Sequence, residues 1–149
     1  MRSLRPWIPA ILWAAAIWFF STASFSAPST SRFILPLLQW LLPGVSQERL
    51  EFFHFLIRKS AHFVEFFIFS LLALRGVRGG RTGWKMAWGL AAVLIAACYA
   101  ALDEFHQAFV PERTASPMDS LLDTCGAAAA QVMAWLRARR APRNPRPPA

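Results

Sequence analysis

Four stretches of this chain are apolar over about 20 residues each, the length with which a helix covers the hydrocarbon core of a bilayer. They lie at approximately 7–25, 58–75, 84–102 and 118–136. Backbone polar groups in lipid must be satisfied within the chain, so each stretch is predicted to be a helix. Only 16% of the residues are charged and 56% are hydrophobic, which excludes an ordinary soluble domain. The sequence therefore predicts an all-α, polytopic membrane protein with four transmembrane helices.

The charges are separated by sign along the chain. Three clusters contain Lys and Arg but no acid: Arg2 and Arg5; Arg75, Arg78, Arg81 and Lys85; and Arg137, Arg139, Arg140, Arg143 and Arg146. All eight Asp and Glu residues lie in the remaining segments. Because the cytoplasmic loops of membrane proteins are enriched in Lys and Arg, we predict that both termini and the 76–83 connection are cytoplasmic. The net charge of +8 is then explained by sidedness, and no nucleic-acid partner is predicted.

The N-terminal part divides into an anchor and an outer loop. Residues 1–25 are interpreted as a retained first transmembrane helix, although the small polar residues 21–24 also fit a signal-peptide cleavage region. Residues 26–57 form the outer loop. Within it, 33–42 is too short to span and is predicted to lie in the membrane interface as a short helix. Ser46 is the predicted N-cap of the long helix that contains the second span.

Small residues recur at close-packing spacing on the third and fourth spans: Ala92, Ala96, Ala100, Gly126 and Ala130. Such residues let helix backbones approach closely in lipid, so these two helices are predicted to pack together. Beyond them, residues 137–149 contain five Arg and four Pro. This composition cannot bury a core, so we predict a basic, disordered cytoplasmic tail.

Ionisable side chains lie at the start of the second span and form one stripe on its helix: Glu51, His54, Arg58, His62 and Glu65. Charge inside a span is costly unless it faces protein or water, so each of these side chains is a functional candidate. After Glu65 the helix is apolar through Leu74 except for Ser70, so the polarity covers only half of the span. This pattern predicts an outward-facing pocket rather than a channel.

A second polar group surrounds the connection between the third and fourth spans. It begins with Asp103 through Gln107, in which Asp103 and Gln107 share a helical face. By depth, this group is expected to meet the stripe of the second span in one pocket. The candidate pocket residues are Lys59, His62, Glu65, Asp103, Glu104, Gln107, Arg113, Ser116, Asp119 and Asp123. His54 and His106 have a weaker claim, because each can lie at the wet interface. No cofactor and no metal site is predicted.

Two interpretations of these charges stay open from sequence. The groups can form a binding site, or they can merely pair with one another across the ends of the helices. In the second interpretation Arg113 pairs with Asp119, and Lys59 or Arg58 pairs with Asp103.

The motifs resemble those of the VanZ-like family of small bacterial membrane proteins. They are Lys59-Ser60-Ala61-His62, Asp103 through Gln107, and Arg113 through Ser116 to Asp119, Asp123 and Gly126, in that order. The resemblance covers about residues 50–132, within a helical core that we place at 50–136. The chain departs from the family pattern at Glu112, where Gly is usual, at Phe66, where Tyr is frequent, and at Asp123, where Asn is common.

The resemblance implies a multi-pass protein of the bacterial cytoplasmic (inner) membrane that acts in the cell envelope, and it implies no reaction. The family takes its name from a protein associated with resistance to teicoplanin. An influence on susceptibility to glycopeptides of the teicoplanin type is therefore one expected role.

The leading functional hypothesis is a binding protein without catalytic activity, whose pocket recognises the head group of a membrane lipid or of a cell-wall precursor in the outer leaflet. Lys59, His62 and Arg113 would contact phosphate or carboxylate. The acidic majority of the candidate residues argues against a bare anion as the sole ligand. One alternative is a metal- or acid/base-dependent hydrolase or transferase that acts on a lipid-linked phosphate. Another is a proton-coupled carrier, for which a homo-oligomer would supply the missing path.

Overall fold

The computed structural model describes residues 4–140, and all the regular secondary structure in that range is helical. The five α-helices are α1 (Ile8–Phe20), α2 (Ala27–Leu41), α3 (Gln47–Arg78), α4 (Met86–Gln107) and α5 (Pro117–Arg140). Short 3-10 turns at Arg5–Trp7 and Ala23–Phe25 precede α1 and α2. The predicted all-α class is confirmed.

Helices α3 and α4 are each long and apolar enough to cross a membrane. The segments before and after residue 21 would together make a third span, but they are bent by 73° at the break between them. Helix α5 has 24 residues and is not among the helices that qualify, because Asp119, Asp123 and Gln131 lower its hydropathy. Two or three helices can therefore span a membrane by length and composition, compared with the four predicted.

The first predicted span is divided by a break in the helix. Helix α1 ends at Phe20 after only 13 residues, and a new helix starts after Ser26. The side chain of Ser26 caps α2 by accepting a hydrogen bond from the backbone N–H of Ser29 (3.3 Å), and Pro28 follows in the first turn, where proline is tolerated. The predicted short helix at 33–42 is thus the second half of the longer α2.

Helix α3 has the long form that the sequence predicted. It begins directly after Ser46, whose backbone is extended, although the Ser46 side chain makes no capping hydrogen bond. It ends at Gly79, which adopts the left-handed conformation (φ 59°) that terminates many helices and that glycine adopts without strain. The helix is therefore 32 residues long and extends well beyond the apolar stretch at both ends.

Helices α3, α4 and α5 form a bundle in which α4 runs antiparallel to the other two, and α1 packs against α3. The small residues Ala92, Ala96, Ala100, Ala127 and Ala130 are buried in it. A Cβ atom at Gly126 would collide with the carbonyl group of Phe63. Gly126 therefore marks the close approach of α5 to α3, whereas the sequence had paired this residue with the third span, now α4.

The bundle has two chemically different ends. Trp7 packs directly on Gly76, so the start of α1 lies beside the end of α3. We call this the basic end, and it carries Arg5, Arg75, Arg78, Arg81, Lys85, Arg137, Arg139 and Arg140. We call the opposite end the site end, where α3 begins, α4 ends and α5 begins. The acids of the bundle lie at or near the site end.

Helix α5 continues through Arg140, past the predicted start of the tail at Arg137. The boundary was placed too early because Ala and Arg favour a helix, and the first proline of the tail is Pro142. The guanidinium of Arg139 stacks over the ring of Trp135 (4.1 Å to the centroid). The remainder of the predicted tail, 141–149, lies outside the described residues.

Candidate functional site

A cavity of about 340 Å³ lies at the site end, between α3, the α4–α5 connection and the start of α2. We call it the polar cavity. Six predicted pocket residues line it: Lys59, His62, Gln107, Arg113, Ser116 and Asp119. The others on its wall are Ala27, Phe55, Arg58, Glu112 and Thr114. Cationic side chains from α3 and from the connection thus face the same space.

A second cavity, of about 260 Å³, lies beside the first. We call it the apolar cavity, because aromatic and aliphatic residues dominate its wall: Phe20, Phe25, Ile34, Ile57 and Ala61, with Thr30 and the predicted Glu65. Arg58, His62 and Arg113 line both cavities. These three side chains form the partition between a charged space and an apolar one.

Lys59 and Arg58 are adjacent in sequence but differ in their partners. The Lys59 ammonium forms an ion pair with the Asp119 carboxylate and also lies over the ring of Phe55 (5.3 Å to the centroid). No hydrogen bond or ion pair joins the half-buried Arg58 guanidinium to another described residue. The predicted pairing of Lys59 or Arg58 with Asp103 is therefore wrong, because Asp103 is bonded elsewhere.

Arg113 holds the end of α1. Its guanidinium donates hydrogen bonds to the backbone carbonyls of Phe20 and Thr22, which have no further helical turn to bond. Burial lowers the pKa of Arg113, and the neighbouring Arg58 lowers it further, yet an arginine stays charged at neutral pH. The predicted pairing of Arg113 with Asp119 is wrong. Arg113 donates to backbone carbonyl groups, and Asp119 forms its ion pair with Lys59.

Glu112 precedes Arg113 in a left-handed conformation (φ 62°). The VanZ-like pattern usually has glycine at this position, and the left-handed backbone conformation is the one that favours glycine. The Glu112 carboxylate accepts a hydrogen bond from the hydroxyl of Ser26 (3.0 Å). A tight turn thus forms despite the departure, and its side chain joins the α4–α5 connection to the cap of α2.

Asp103 is fully buried behind the polar cavity. Its Oδ2 accepts hydrogen bonds from Ser21 Oγ and from Gln107 Nε2, each at 2.8 Å. The contact with Gln107 follows from the shared helical face that the sequence indicated. Ser21 was missed, because a serine at the polar end of an apolar stretch resembles any helix terminus.

Asp123 is also fully buried, and neither of its carboxylate oxygens has a hydrogen-bond partner among the described residues. The ring of His62 lies close by, with its Nδ1 3.9 Å from Asp123 Oδ1 and 4.0 Å from Glu65 Oε2. This Nδ1 is unpartnered as well. His62 therefore has two carboxylates on one side and the cavities on the other.

Glu104 contacts the start of α5 instead of the polar cavity. Its Oε2 accepts a hydrogen bond from the backbone N–H of Ser116 (2.7 Å), and its Oε1 has no partner among the described residues. A carboxylate at a helix N-terminus is favoured by the helix dipole. The Ser116 hydroxyl caps the same helix by accepting from the N–H of Met118 (3.3 Å).

Two of the histidines lie outside the cavities. The buried His54 places Nε2 3.1 Å from Thr30 Oγ1 and so joins α3 to α2. The ring of His106 stacks on Trp18 with a centroid distance of 3.8 Å. The exposed Glu51, which begins the predicted stripe, accepts a hydrogen bond from Gln47 (3.0 Å).

The structure thus brings all ten predicted residues to the site end, and seven of them line the polar or the apolar cavity. Glu104 lines a different cavity, of about 390 Å³, between the end of α4 and the start of α5. Asp103, Glu104 and Asp123 lie off both walls, so the expected acidic majority is largely absent from the surface that a ligand would meet. Arg58 was part of the stripe but not of the candidate set, although it lines both cavities. Within residues 4–140, no three His, Cys, Asp or Glu side chains are grouped so that they could hold a metal ion.

Two or three helices long and apolar enough to cross a bilayer, with acids gathered toward one end and an acid-free basic end opposite, are typical of a membrane protein. A model of the VanZ/LLP1 family matches residues 6–138, nearly the whole chain. The chain therefore belongs to the VanZ/LLP1 family, as the motifs predicted, and the match includes the N-terminal helices that lie outside those motifs. Neither curated proteins nor solved structures give a match.

Proposed function

We propose that this VanZ/LLP1 protein is a multi-pass protein of the bacterial cytoplasmic membrane that binds the head group of a lipid or of an envelope precursor from the outer leaflet. The observation that carries the proposal is the polar cavity, which Arg58, Lys59 and His62 of α3 and Arg113 of the α4–α5 connection line together. Arginine binds phosphate and carboxylate through paired hydrogen bonds, and its weak hydration suits a partly buried site.

The proposed topology has four membrane-crossing segments and both termini in the cytoplasm. Its support is the separation of charge, because the described members of the three acid-free clusters, Arg5, Arg75, Arg78, Arg81, Lys85, Arg137, Arg139 and Arg140, belong to one end of the bundle. Lys and Arg mark the cytoplasmic side of membrane proteins. The site end then faces outward, and α5 crosses the membrane with Asp119 and Asp123 shielded by α3 and α4.

This topology is tested by cysteine labelling in intact cells. Cys98 and Cys125 are first replaced by Ala, and single cysteines are then placed at the exposed Thr114, at the site end, or the exposed Thr82, at the basic end. A membrane-impermeant maleimide is expected to label Thr114→Cys in intact cells and Thr82→Cys only after lysis. The reverse pattern would overturn the orientation.

Arg58 provides the cleanest test of binding. Arg113 is unsuitable alone, because its replacement would release the carbonyls at the end of α1 and disturb the fold. We expect native mass spectrometry to show a phosphate-bearing lipid on the wild-type protein and on the control Arg49→Gln, which changes an exposed arginine on the same helix. Arg58→Gln is expected to lose this lipid. Equal retention by both variants would contradict the proposal.

An influence on glycopeptide susceptibility belongs to the same proposal, since a protein that binds an outer-leaflet head group can change what an amphiphilic glycopeptide meets at the membrane. The test is the minimum inhibitory concentration of teicoplanin for cells that express the wild type, Arg58→Gln or Arg49→Gln. We expect the wild type and Arg49→Gln to shift it equally and Arg58→Gln not to shift it. No shift by the wild type would remove this role.

A second candidate function, hydrolysis of a lipid-linked phosphate, is favoured by the surroundings of His62. Its ring lines both cavities, and Asp123 and Glu65 flank its Nδ1. A carboxylate beside one imidazole nitrogen prepares the other for general acid/base catalysis. His62→Gln is expected to abolish phosphate release from a lipid phosphate, whereas the exposed control Arg49→Gln is expected to keep it. Absence of release by the wild-type protein leaves only the binding function.

A further inference from the structure

The polar and apolar cavities at the site end differ in what their walls can bind, although Arg58, His62 and Arg113 line both. The polar cavity has hydrogen-bond donors from α3 and from the α4–α5 connection. The apolar cavity continues from the same partition between α2 and α3 and is lined mainly by hydrocarbon, including Ile34, Ile57 and Ala61. A ligand that fills both must therefore have a polar head joined directly to an apolar chain.

The charged side chains at the partition determine which charge the polar head of the ligand must carry. Arg58 and Arg113 reach the boundary of the two cavities from different elements, with His62 between them. The acids on the polar wall are already engaged, Asp119 with Lys59 and Glu112 with Ser26. Glu65 is the acid on the apolar wall, and it lies beside His62, with Oε2 4.0 Å from Nδ1. The Arg58 guanidinium has no such partner among the described residues. The complementary group is an anion.

The number of donors favours a phosphate over a carboxylate. Arg58 and His62 face the partition from α3, and Arg113 faces it from the α4–α5 connection. The Nε and Nη2 groups of Arg113 already donate to carbonyl groups, so its Nη1 group is the one left among the described residues for a ligand. A phosphate monoester has three strong acceptor oxygens arranged around one atom. A carboxylate has two oxygens in one plane and matches a single arginine. The geometry therefore favours the tetrahedral anion.

The wall of the apolar cavity is also open to the surface of the bundle. Ile57 is 43% exposed, and Ala61, one turn further along α3, is exposed too. The contact between His54 and Thr30 ties α2 to α3 beside this opening. A hydrocarbon chain can thus pass between α2 and α3 toward the lipid while its head stays at the partition.

We propose that the site binds an anionic amphiphile, a phosphate monoester with an alkyl or prenyl chain, with the phosphate at Arg58 and Arg113 and the first methylenes in the apolar cavity. This inference rests on the proposed head-group binding and specifies its ligand class. Because the chain contributes to binding, free phosphate is expected to bind more weakly than the same phosphate with a chain.

The test is calorimetric titration of the detergent-purified full chain with two water-soluble probes, methyl phosphate and hexyl phosphate. The charge of the two probes is equal, and only the chain differs. We expect hexyl phosphate to bind at least tenfold more tightly, because about two additional buried methylenes give that ratio. Hexanol serves as the probe for binding through the chain alone, and we expect it to bind more weakly than hexyl phosphate.

Two variants of α3 locate the chain. Ala61→Phe fills the apolar cavity and is expected to reduce the preference for hexyl phosphate to less than threefold. Val64→Phe places the same side chain at an exposed position outside both cavities and is expected to keep the preference. Both variants carry the same added ring on the same helix, so their difference reports the cavity.

The possible outcomes distinguish failure of the amphiphile inference from failure of the proposed head-group binding. Equal affinity for the two phosphates would overturn the amphiphile inference and leave head-group binding in place. A chain preference that survives Ala61→Phe would overturn the assignment of the chain to the apolar cavity. Binding of neither phosphate would overturn both proposals.

Discussion

Ser70, Trp84 and Gln131 form a buried polar cluster toward the basic end, and it can be compared with the cluster of His62, Asp103 and Asp123 at the site end. In the first, Gln131 Nε2 donates to Ser70 Oγ (2.9 Å) and to the Ser70 carbonyl (3.1 Å), while its Oε1 accepts from Trp84 Nε1 (3.3 Å). In the second, His62 Nδ1, Asp103 Oδ1 and both oxygens of Asp123 have no partner among the described residues.

The difference teaches how to separate polar groups that hold a fold from polar groups that serve a site. A fully satisfied buried network positions helices at little cost, whereas each buried group without a partner reduces stability. Proteins keep such a cost mainly where function requires it. We therefore expect substitutions in the two clusters to have opposite effects on stability.

The largest expected effect lies between the two clusters, at Gly126. Ala at this position would place its Cβ against the carbonyl group of Phe63, and a backbone group cannot rotate away. We expect Gly126→Ala to lower the free energy of unfolding by about 3 kcal/mol, at the upper end of overpacking costs. Chemical denaturation in detergent measures it. Ala128→Val, at an exposed position of the same helix, should change little, and a tolerated Gly126→Ala would contradict the close approach of α5 to α3.

The satisfied cluster is tested by Gln131→Leu. This change leaves the Ser70 hydroxyl and the Trp84 indole N–H without partners, so we expect a loss of about 2 kcal/mol in the free energy of unfolding. The affinity for phosphate probes should be unchanged. Gln39→Leu, at an exposed glutamine, is the control and should cost little. A neutral Gln131→Leu would show that the network does not hold the helices.

The unsatisfied cluster is tested by Asp123→Asn. Burying the Asp123 carboxyl group without a hydrogen-bond partner costs free energy, because water solvates the carboxylate in the unfolded chain. The substitution is therefore expected to raise the free energy of unfolding by about 1 kcal/mol. Thermal unfolding of both proteins, followed by circular dichroism, measures it, and a loss of stability would contradict this expectation and show that an ion pair with a charged His62 holds Asp123.

The smallest effect concerns the turn beside the site. Glu112→Gly and Glu112→Ala both remove the hydrogen bond from Ser26, but only glycine adopts the left-handed conformation without strain. We expect the glycine variant to be more stable than the alanine variant by about 1 kcal/mol. The difference in melting temperature measures it, and equal melting temperatures would show that the turn changes its backbone conformation.

The sequence located the long helices well because their boundaries depend on local composition. Helix α3, for example, begins after Ser46 and ends at Gly79, and serine and glycine are residue types that commonly bound helices. The break between α1 and α2 was not predicted, because 21–26 is a short run of mostly small polar residues that suits a helix end, a loop or a cleavage region equally. The choice among these three depends on Arg113, which lies 91 residues further along the chain and donates to the carbonyl group of Thr22.

The sequence predicted which helical faces contribute to the site, but it did not predict which side chains pair with one another. Charge inside a span is costly, so the stripe on α3 and the acids near α4 and α5 were expected to cluster. Spacing gives the face of a residue but not its partner on another helix, so Lys59 was assigned the wrong carboxylate. Ser21 carries no charge and was therefore missed, although it donates to Asp103.

The ion pair between Lys59 and Asp119 has a consequence for how the protein is made. The two residues are separated by 60 positions, so Lys59 is synthesised and α3 is complete long before its counter-charge exists. Until α5 is synthesised, the Lys59 ammonium on α3 lacks the carboxylate with which it pairs in the folded protein. In the proposed topology, the charge of Lys59 is therefore neutralised only after α5, the last helix, has been synthesised and has packed against α3.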